Sequence, residues 1–308
     1  MNWSGVLPAM TTPFDVEMKV DHSFLAQHAA WLLGNGCAGL VMLGSLGEGA
    51  TLEPPEKAAI LKTAVGAAGE KPVIAAISSL STAGAVALAK DAVQAGCAGL
   101  MVLPPYVYST DWREMKAHVA AAIAATRLPC MLYNNPLAYK TDFLPWQIAE
   151  LAAEHGNLMA VKESAADVRR IAAIRELLDQ RLEIYVGVDD MLVEGVTAGA
   201  VGWVAGLVNA FPAESVRLLE LAKSGEDAAA TSALYRWFLP LLRMDTVPKF
   251  VQLIKWVQEQ AGVGSARVRA PRLELEGLEL AEAKAVFDRA QATRPKIRER
   301  PFGEFAAV

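Results

Sequence analysis

Short apolar runs alternate with longer Ala- and Leu-rich stretches over the first two thirds of the chain. The apolar runs are residues 5–10, 39–43, 72–77, 99–103, 129–133, 157–162, 182–186 and 200–204. The stretches of helical length between them include residues 22–34, 54–68, 82–96, 112–126, 146–153 and 168–178. Nearly continuous apolar runs indicate strands covered on both faces, and strand–helix alternation favours parallel pairing. The eight strand–helix units predict a (β/α)8 TIM barrel.

The strand pattern ends near Gly225, and the rest of the chain shows only helical patterns, at residues 228–242, 246–260 and 279–292. We therefore predict a catalytic barrel over residues 1–225 and a C-terminal helical extension over residues 226–308. The extension is too small to bury its own apolar faces. Side chains such as Leu234 and Phe238 are expected to pack against the barrel or another subunit.

Composition and charge exclude several classes of protein. The 308 residues are 53% hydrophobic and 20% charged, with a formal net charge of −5. Scattered positive residues in an acidic chain offer no footprint for nucleic acid. The longest nearly uncharged stretch, around residues 198–212, is shorter than the roughly 20 apolar residues that span a bilayer. The first ten residues lack the pattern of a signal peptide. We expect a cytoplasmic protein with no nucleic-acid or membrane partner.

The cysteines and histidines do not predict a metal site. Cys37, Cys97 and Cys130 are far apart in sequence and each lies beside apolar residues, which indicates buried, reduced thiols. The four histidines fall in helical stretches and form neither an HxH nor an HExxH motif. We therefore expect no metal cofactor.

Polar residues at the C-terminal ends of the strands are the candidates for chemistry, because ligands bind at that end of a TIM barrel. The second strand leads into residues 44–48 (GSLGE), whose glycines let backbone N–H groups converge on an anion beside the Ser45 hydroxyl. A simple strand-to-helix turn is the alternative. The fifth strand ends in Tyr133, whose phenol can move protons, although a packed tyrosine is the plainer interpretation.

The sixth strand ends in a lysine, Lys162, after four apolar residues. Burial disfavours the charged form of lysine, and lowering its pKa to near neutrality takes about three units, or about 4 kcal/mol. An ion pair with Glu163 or Asp189 is the structural alternative. Together, the three strand ends suggest imine chemistry on a 2-oxo acid: Lys162 attacks the carbonyl, the GSLGE turn holds the carboxylate and Tyr133 moves protons.

These motifs resemble those of the dihydrodipicolinate synthase and N-acetylneuraminate lyase family of Schiff-base barrels. The matching segments are residues 8–14 (PAMTTPF), 44–48 (GSLGE), 133–136 (YNNP) and 161–163 (VKE). The resemblance covers about residues 5–225, and the helical extension matches too. It implies that Lys162 forms the imine, that Tyr133 relays protons and that Ser45 is the hydroxyl partner of Tyr133. It also implies a homotetramer built from dimers.

The resemblance implies further contacts with the substrate. The backbone at Leu46 and Gly47 would join Ser45 in holding the carboxylate, while Gly187 and Val204 match other substrate-contact positions. No cofactor beyond the lysine itself is expected. Pyridoxal phosphate would need a phosphate cup and a partner for its pyridine nitrogen, and the sequence offers neither.

Three departures from the synthase proper argue against its reaction. The synthase has two threonines in the GxxGE turn, where this chain has Ser45 and Leu46. It has an arginine after the YN-x-P motif to hold a second carboxylate, where this chain has residues 137–140 (LAYK). It also supplies a tyrosine to a neighbouring active site at a position that is valine here, which leaves Tyr106 and Tyr108 as possible interface tyrosines.

The variant motifs look more like a catabolic branch, the 1-pyrroline-4-hydroxy-2-carboxylate deaminases, so the expected substrate is a small 2-oxo acid or cyclic imino acid. In that reaction Lys162 adds to C2, Tyr133 assists loss of the C3 proton and the C4 hydroxyl, and Asn135 hydrogen-bonds a substrate hydroxyl. Ammonia and 2-oxoglutarate semialdehyde are released. The alternatives are a 2-keto-3-deoxy sugar acid dehydratase or aldolase, aldol condensation with pyruvate, and a non-catalytic 2-oxo acid sensor.

Overall fold

Eight parallel strands form one sheet in the computed structural model, which describes residues 4–105 and 111–303. The strands are β1 (Gly5–Pro8), β2 (Leu40–Met42), β3 (Val73–Ile77), β4 (Gly99–Val102), β5 (Cys130–Asn134), β6 (Leu158–Glu163), β7 (Glu183–Val186) and β8 (Gly202–Ala205). Their order is β1-β8-β7-β6-β5-β4-β3-β2. A parallel bridge between Ala9 and Val41 brings the two end strands together. The predicted (β/α)8 TIM barrel is confirmed.

Helices follow the strands around the barrel. They are α1 (His22–Gly34), α2 (Pro54–Ala68), α3 (Thr82–Gln94), α4 (Trp112–Ala124), α5 (Pro136–Tyr139), α6 (Pro145–Glu154), α7 (Arg169–Leu178), α8 (Leu192–Thr197) and α9 (Pro212–Ser224). Side chains cap the starts of some of them: Asp21 Oδ1 accepts from Phe24 N at 2.9 Å at α1, and Ser81 Oγ accepts from Gly84 N at 3.1 Å at α3. Such caps satisfy N–H groups that have no partner inside the helix.

Alternation along the strands divides the buried residues into two layers. One row points into the barrel, and it includes Leu7, Val41, Ile74, Met101, Met131, Tyr133, Ala160, Tyr185 and Val204. The other row packs against the helices. Side chains of a strand point to opposite faces in turn, so Lys162 lies on the same inner face as Ala160, two residues before it. The barrel interior is therefore apolar below and carries its reactive groups at one end.

The C-terminal extension comprises α10 (Ala228–Leu242), α11 (Phe250–Gln260) and α12 (Gly277–Ala292). It packs against the barrel: α10 contacts α9, and Leu234 and Phe238 are buried as expected. One predicted boundary is wrong, because the helix expected at residues 246–260 begins only at Phe250. Pro248 explains the difference, since a residue before proline is disfavoured in helical conformation. A separate 3-10 turn, Arg243–Asp245, precedes it and lies beside the barrel mouth.

The cysteines and the lengths of the helices can be compared directly with the sequence. Cys37, Cys97 and Cys130 are free and buried, as the sequence predicted. Among the described residues, no helix combines the length and the apolar character that crossing a membrane requires.

Candidate active site

Lys162 and Tyr133 are direct neighbours across two parallel strands. Tyr133 on β5 is in register with Lys162 on β6, and both side chains face the barrel interior. The Lys162 Nζ lies 4.2 Å from the centroid of the Tyr133 ring. Strand register thus places an amine and a phenol side by side, which is the arrangement that imine formation with proton relay requires.

Burial makes Lys162 a weaker base than a surface lysine. The side chain is 6% exposed. Burial lowers its pKa to about 8, against the opposing charges of Asp245 and Asp189. Neither ion pair considered as an alternative forms among the described residues: Lys162 makes no salt bridge with Glu163 or Asp189, and Glu163 instead accepts a hydrogen bond from Asn134 Nδ2 at 3.1 Å. The amine is therefore poised to lose its proton close to neutral pH.

The hydroxyl groups around Tyr133 are paired differently from the expectation. We predicted Ser45 as the partner of Tyr133, but the Ser45 hydroxyl hydrogen-bonds the hydroxyl of Tyr139. The Tyr133 oxygen accepts from Asn135 Nδ2 at 2.9 Å instead. The cause is the short helix α5, which brings the Tyr139 ring edge-on to Tyr133, with 5.8 Å between centroids. Burial raises the pKa of Tyr133 to about 12, so its phenol keeps its proton at neutral pH.

Asn135 has a local structural task besides its predicted contact with substrate. Its Oδ1 accepts from Ala138 N at 3.0 Å and caps α5, while its Nδ2 holds the Tyr133 hydroxyl. The contact with a substrate hydroxyl stays a prediction.

The GSLGE turn after β2 has the geometry of an anion cradle. In the part of the chain that the structure describes, no protein group accepts from the N–H of Ser45 or of Leu46. The turn is tightly folded: a Cβ on Gly47 would lie 2.8 Å from the carbonyl oxygen of Met10, and Glu48 adopts the left-handed conformation with φ 54°. Adjacent unsatisfied N–H groups in such a turn suit a carboxylate. Leu46 contributes only backbone, because its side chain is buried in the outer layer.

A buried ion pair fixes the turn to the extension, and the sequence analysis missed it. Glu48 is fully buried, and its Oε1 accepts from Lys255 Nζ of α11 at 2.8 Å. Lys255 also donates to the carbonyl oxygen of Thr12 at 2.9 Å, while Arg269 N donates to Glu48 Oε2 at 2.9 Å. The extension thus holds the cradle in place from outside the barrel.

Gly187 lies at the barrel mouth and Val204 beneath it, and the contact of both with substrate stays a prediction. A Cβ on Gly187 would approach the Lys162 Cε to 2.6 Å, so only glycine lets the lysine chain pass. Val204 is buried in the inner layer beneath the mouth. Tyr106 and Tyr108 lie outside the described residues. Within the described ranges, no group of three or more His, Cys, Asp or Glu side chains is arranged to hold a metal ion.

Two aspartates complete the mouth on the side of β7 and β8. Asp189 is fully buried, and its carboxylate accepts from the Trp203 indole at 2.9 Å and from Gly206 N and Leu207 N at 3.1 Å each. The Asp245 carboxyl comes from the extension and lies within hydrogen-bonding reach of Asp189. Sequence reasoning missed Asp245, because no local motif marks a residue that reaches the site from another part of the chain.

Comparison with known proteins agrees with this geometry. Residues 2–290 match the Dihydrodipicolinate synthetase family. The chain belongs to this family. A 4-hydroxy-tetrahydrodipicolinate synthase of Xanthomonas axonopodis pv. citri is 35% identical over 233 residues, covering 75% of this chain and 76% of the relative. That of Desulforamulus reducens is 27% identical over 289 residues, 94% of this chain and 97% of the relative.

Solved structures show the same likeness. The 4-hydroxy-tetrahydrodipicolinate synthase from Methylacidiphilum fumariolicum SolV matches with a TM-score of 0.90 and 25% identity, covering 94% of this chain and 97% of the other. As a member of the dihydrodipicolinate synthetase family, the protein is an enzyme, a class I Schiff-base lyase.

Proposed function

We propose that this enzyme deaminates 1-pyrroline-4-hydroxy-2-carboxylate to 2-oxoglutarate semialdehyde and ammonia. The observation that carries the proposal is that the mouth offers one carboxylate cradle, the GSLGE turn, whereas residues 137–140 (LAYK), after the YNNP motif, supply no guanidinium group for a second carboxylate.

The segment that follows Asn135 differs from a dicarboxylate site in each of its side chains. Ala138 has no polar group, and Tyr139 is engaged with Ser45. Lys140 is exposed and its Nζ donates to the carbonyl oxygen of Leu137 at 2.9 Å. A lysine also lacks the bidentate fork with which arginine binds a carboxylate. These features suit a small substrate with one carboxylate group.

Arg170 does not supply the missing guanidinium. It forms a two-pronged ion pair with Asp142, with Nη1–Oδ1 and Nη2–Oδ2 distances of 2.7 and 2.6 Å. A guanidinium already paired in this way is not available to a second substrate carboxylate. The condensation reaction that the relatives' names describe is therefore the second candidate rather than the first.

The proposed reaction uses the site in three steps. The neutral Lys162 amine adds to C2, the C2–N bond of the ring breaks, and the ring nitrogen leaves as a primary amine on C5. Tyr133 relays the C3 proton to the imine nitrogen, which gives a neutral enamine. The enamine expels the C4 hydroxyl, which takes a proton from an acid in the site and leaves as water, and the iminium that forms later returns a proton. Two water molecules then hydrolyse the C5 imine, formed after tautomerisation, and the Lys162 imine. Overall one water is consumed and one ammonia released, which balances the reaction.

A panel of substrates tests the proposal. The purified protein is incubated with the hydroxy-pyrroline carboxylate, pyruvate plus aspartate semialdehyde, and several 2-keto-3-deoxy sugar acids, and ammonia and carbonyl products are measured. We expect ammonia and a dicarbonyl product from the hydroxy-pyrroline carboxylate alone. Condensation of pyruvate with the semialdehyde at a higher kcat/KM than this deamination would assign the synthase reaction instead.

A further inference from the structure

We infer that Asp245, carried into the barrel mouth by the C-terminal extension, is the acid that protonates the departing C4 hydroxide, from a proton that it shares with Asp189. The inference rests on the proposed function, because it concerns the elimination step of that reaction. It assigns a catalytic task to a residue outside the barrel.

Asp189 is held as the ionised member of the pair. Three N–H groups point at its carboxylate: the Trp203 indole at 2.9 Å on Oδ1, and the backbone of Gly206 and Leu207 at 3.1 Å on Oδ2. Hydrogen bonds donated to a carboxylate favour its charged form. Asp189 follows Gly187 by two residues, and Gly187 is in contact with the Lys162 side chain. The charge of Asp189 is therefore fixed close to the reactive amine.

Asp245 reaches the pair through a gap that a glycine leaves. A Cβ on Gly206 would lie 2.5 Å from Asp245 Oδ1 and 2.8 Å from its Cγ, so the carboxyl group occupies the space that any other side chain would fill. Gly206 directly follows β8, at the end of the barrel where the chemistry lies. The same residue thus donates its N–H to Asp189 and leaves room for Asp245, and the two carboxyl groups lie within hydrogen-bonding reach of each other.

Two carboxyl groups in contact do not both ionise, so the pair holds one proton. The titratable groups that face Asp245 are Lys162, Tyr133, Asp189 and Asp190, and Arg243 pairs with Asp190 at 3.5 Å. Burial and the charge of Asp189 raise the pKa of Asp245 well above its ordinary value, whereas burial raises that of Asp189 only to about 6. Because Asp189 receives the N–H donors, the shared proton resides on Asp245.

Tyr133 relays the C3 proton to the imine nitrogen, which gives a neutral enamine. Because that proton stays on the nitrogen, the departing hydroxide needs a second proton from another acid. In the next step the nitrogen lone pair forms the C2=N bond, the C2=C3 pair moves to C3=C4 and the C4–O bond breaks. The oxygen takes the Asp245 proton and leaves as water. The new charges balance, since a positive iminium on Lys162 forms together with the second negative carboxylate of the pair.

The test separates imine formation from elimination. In Asp245→Asn the side chain keeps its size and can still donate to Asp189, but it has no acidic proton. We expect borohydride to trap pyruvate on Lys162 within about threefold of the parent rate, read by intact mass and peptide mapping. Ammonia release from the hydroxy-pyrroline carboxylate should fall about 100-fold or more, the usual range for a lost general acid. The alkaline limb of the parent pH profile should disappear.

Asp190→Asn is the matched control, because it removes a carboxylate from the same corner but one that faces Arg243. This variant should release ammonia from the hydroxy-pyrroline carboxylate at a rate within about threefold of the parent rate. Asp245→Glu should recover part of the lost rate, since it restores an acid. Turnover of Asp245→Asn within about threefold of the parent would refute the inference, and so would an equal loss of trapping and turnover.

The two proposals fail differently. If the parent releases no ammonia but dehydrates a 2-keto-3-deoxy sugar acid, the deaminase assignment is wrong. The comparison of Asp245 variants is then made on that dehydration, because the same C4 hydroxyl leaves. If the parent carries out only an aldol reaction, with no elimination, the role of Asp245 as an acid is refuted as well.

Discussion

Two lysines are buried at this end of the barrel, and their surroundings are opposite. Lys255 is 1% exposed and donates to Glu48 and to the carbonyl oxygen of Thr12, at 2.8 and 2.9 Å. Lys162 is 6% exposed and forms no salt bridge among the described residues. Its Nζ lies 4.2 Å from the centroid of the Tyr133 ring. One buried ammonium is thus fully paired, and the other is not.

The difference shows how one fold uses the same side chain for structure and for chemistry. Burial lowers the pKa of both lysines. At Lys255 the contact with Glu48 opposes this effect, so the charge is retained and links the extension to the cradle. At Lys162 the single negative charge of the Asp189–Asp245 pair acts without a salt bridge, so the amine can lose its proton and attack a carbonyl. Replacement of each lysine tests this contrast.

The largest expected effect is that of Lys162→Met on turnover. Methionine has a similar length and no nucleophile, so the rate should fall on the order of 10⁴-fold or more. Borohydride trapping of pyruvate should be lost. The free energy of unfolding should not decrease, because the change removes an unpaired buried ammonium. Thermal and denaturant unfolding measure this, and a clear loss of stability would show that Lys162 has a structural role.

Lys255→Met should show the reverse pattern. The change leaves the buried Glu48 without its closest positive partner, and such a loss typically destabilises a protein by about 3–5 kcal/mol. Equilibrium unfolding in urea measures the effect. Lys162 should still trap pyruvate in the folded fraction. The trapping should require higher pyruvate concentrations, because the GSLGE turn loses its anchor.

Two controls establish that the ion pair is responsible. Lys249→Met breaks a surface pair with Glu279, whose side chains are 51% and 34% exposed, and should cost about 0–1 kcal/mol. The double variant Glu48→Gln with Lys255→Met should be more stable than the sum of the single effects predicts, by roughly 1–3 kcal/mol. Additive losses would mean that packing, and not charge, anchors the turn.

The contrast between the lysines also shows what could be read from the sequence. Strand–helix alternation predicted the barrel, because the pattern of apolar residues within each short segment indicates whether it is a strand or a helix. Lys162 and Tyr133 could be singled out because each ends an apolar run. Lys255 and Asp245 could not, because their partners Glu48 and Asp189 are about 200 and 56 residues away in the chain. Contacts between the extension and the barrel depend on packing, which no local pattern encodes.

The hydroxyl pairing of Ser45 shows a second limit. The family resemblance implied that Ser45 pairs with Tyr133, and the structure does bring both to the mouth. The pairing of these hydroxyl groups depends on α5, a four-residue helix that Asn135 caps and Pro136 begins. A helix of this length is too short to show a hydrophobic periodicity in the sequence. A single side chain carried on such a helix, Tyr139, is enough to redirect the hydrogen bond.

The smallest expected effect is the change with pH in the rate at which Lys162 is trapped by borohydride. Lys255 should not be trapped at any pH tested. Because the pKa of Lys162 is about 8, its neutral fraction falls about tenfold per pH unit below that value and levels off above it. The initial rate of borohydride trapping with saturating pyruvate should follow this curve between about pH 6 and 9. Peptide mapping should find the adduct on Lys162 and none on Lys255, whose proton is held by Glu48. A rate that keeps rising tenfold per unit through pH 9 would show that Lys162 is as basic as a surface lysine, and the contrast between the two sites would be lost.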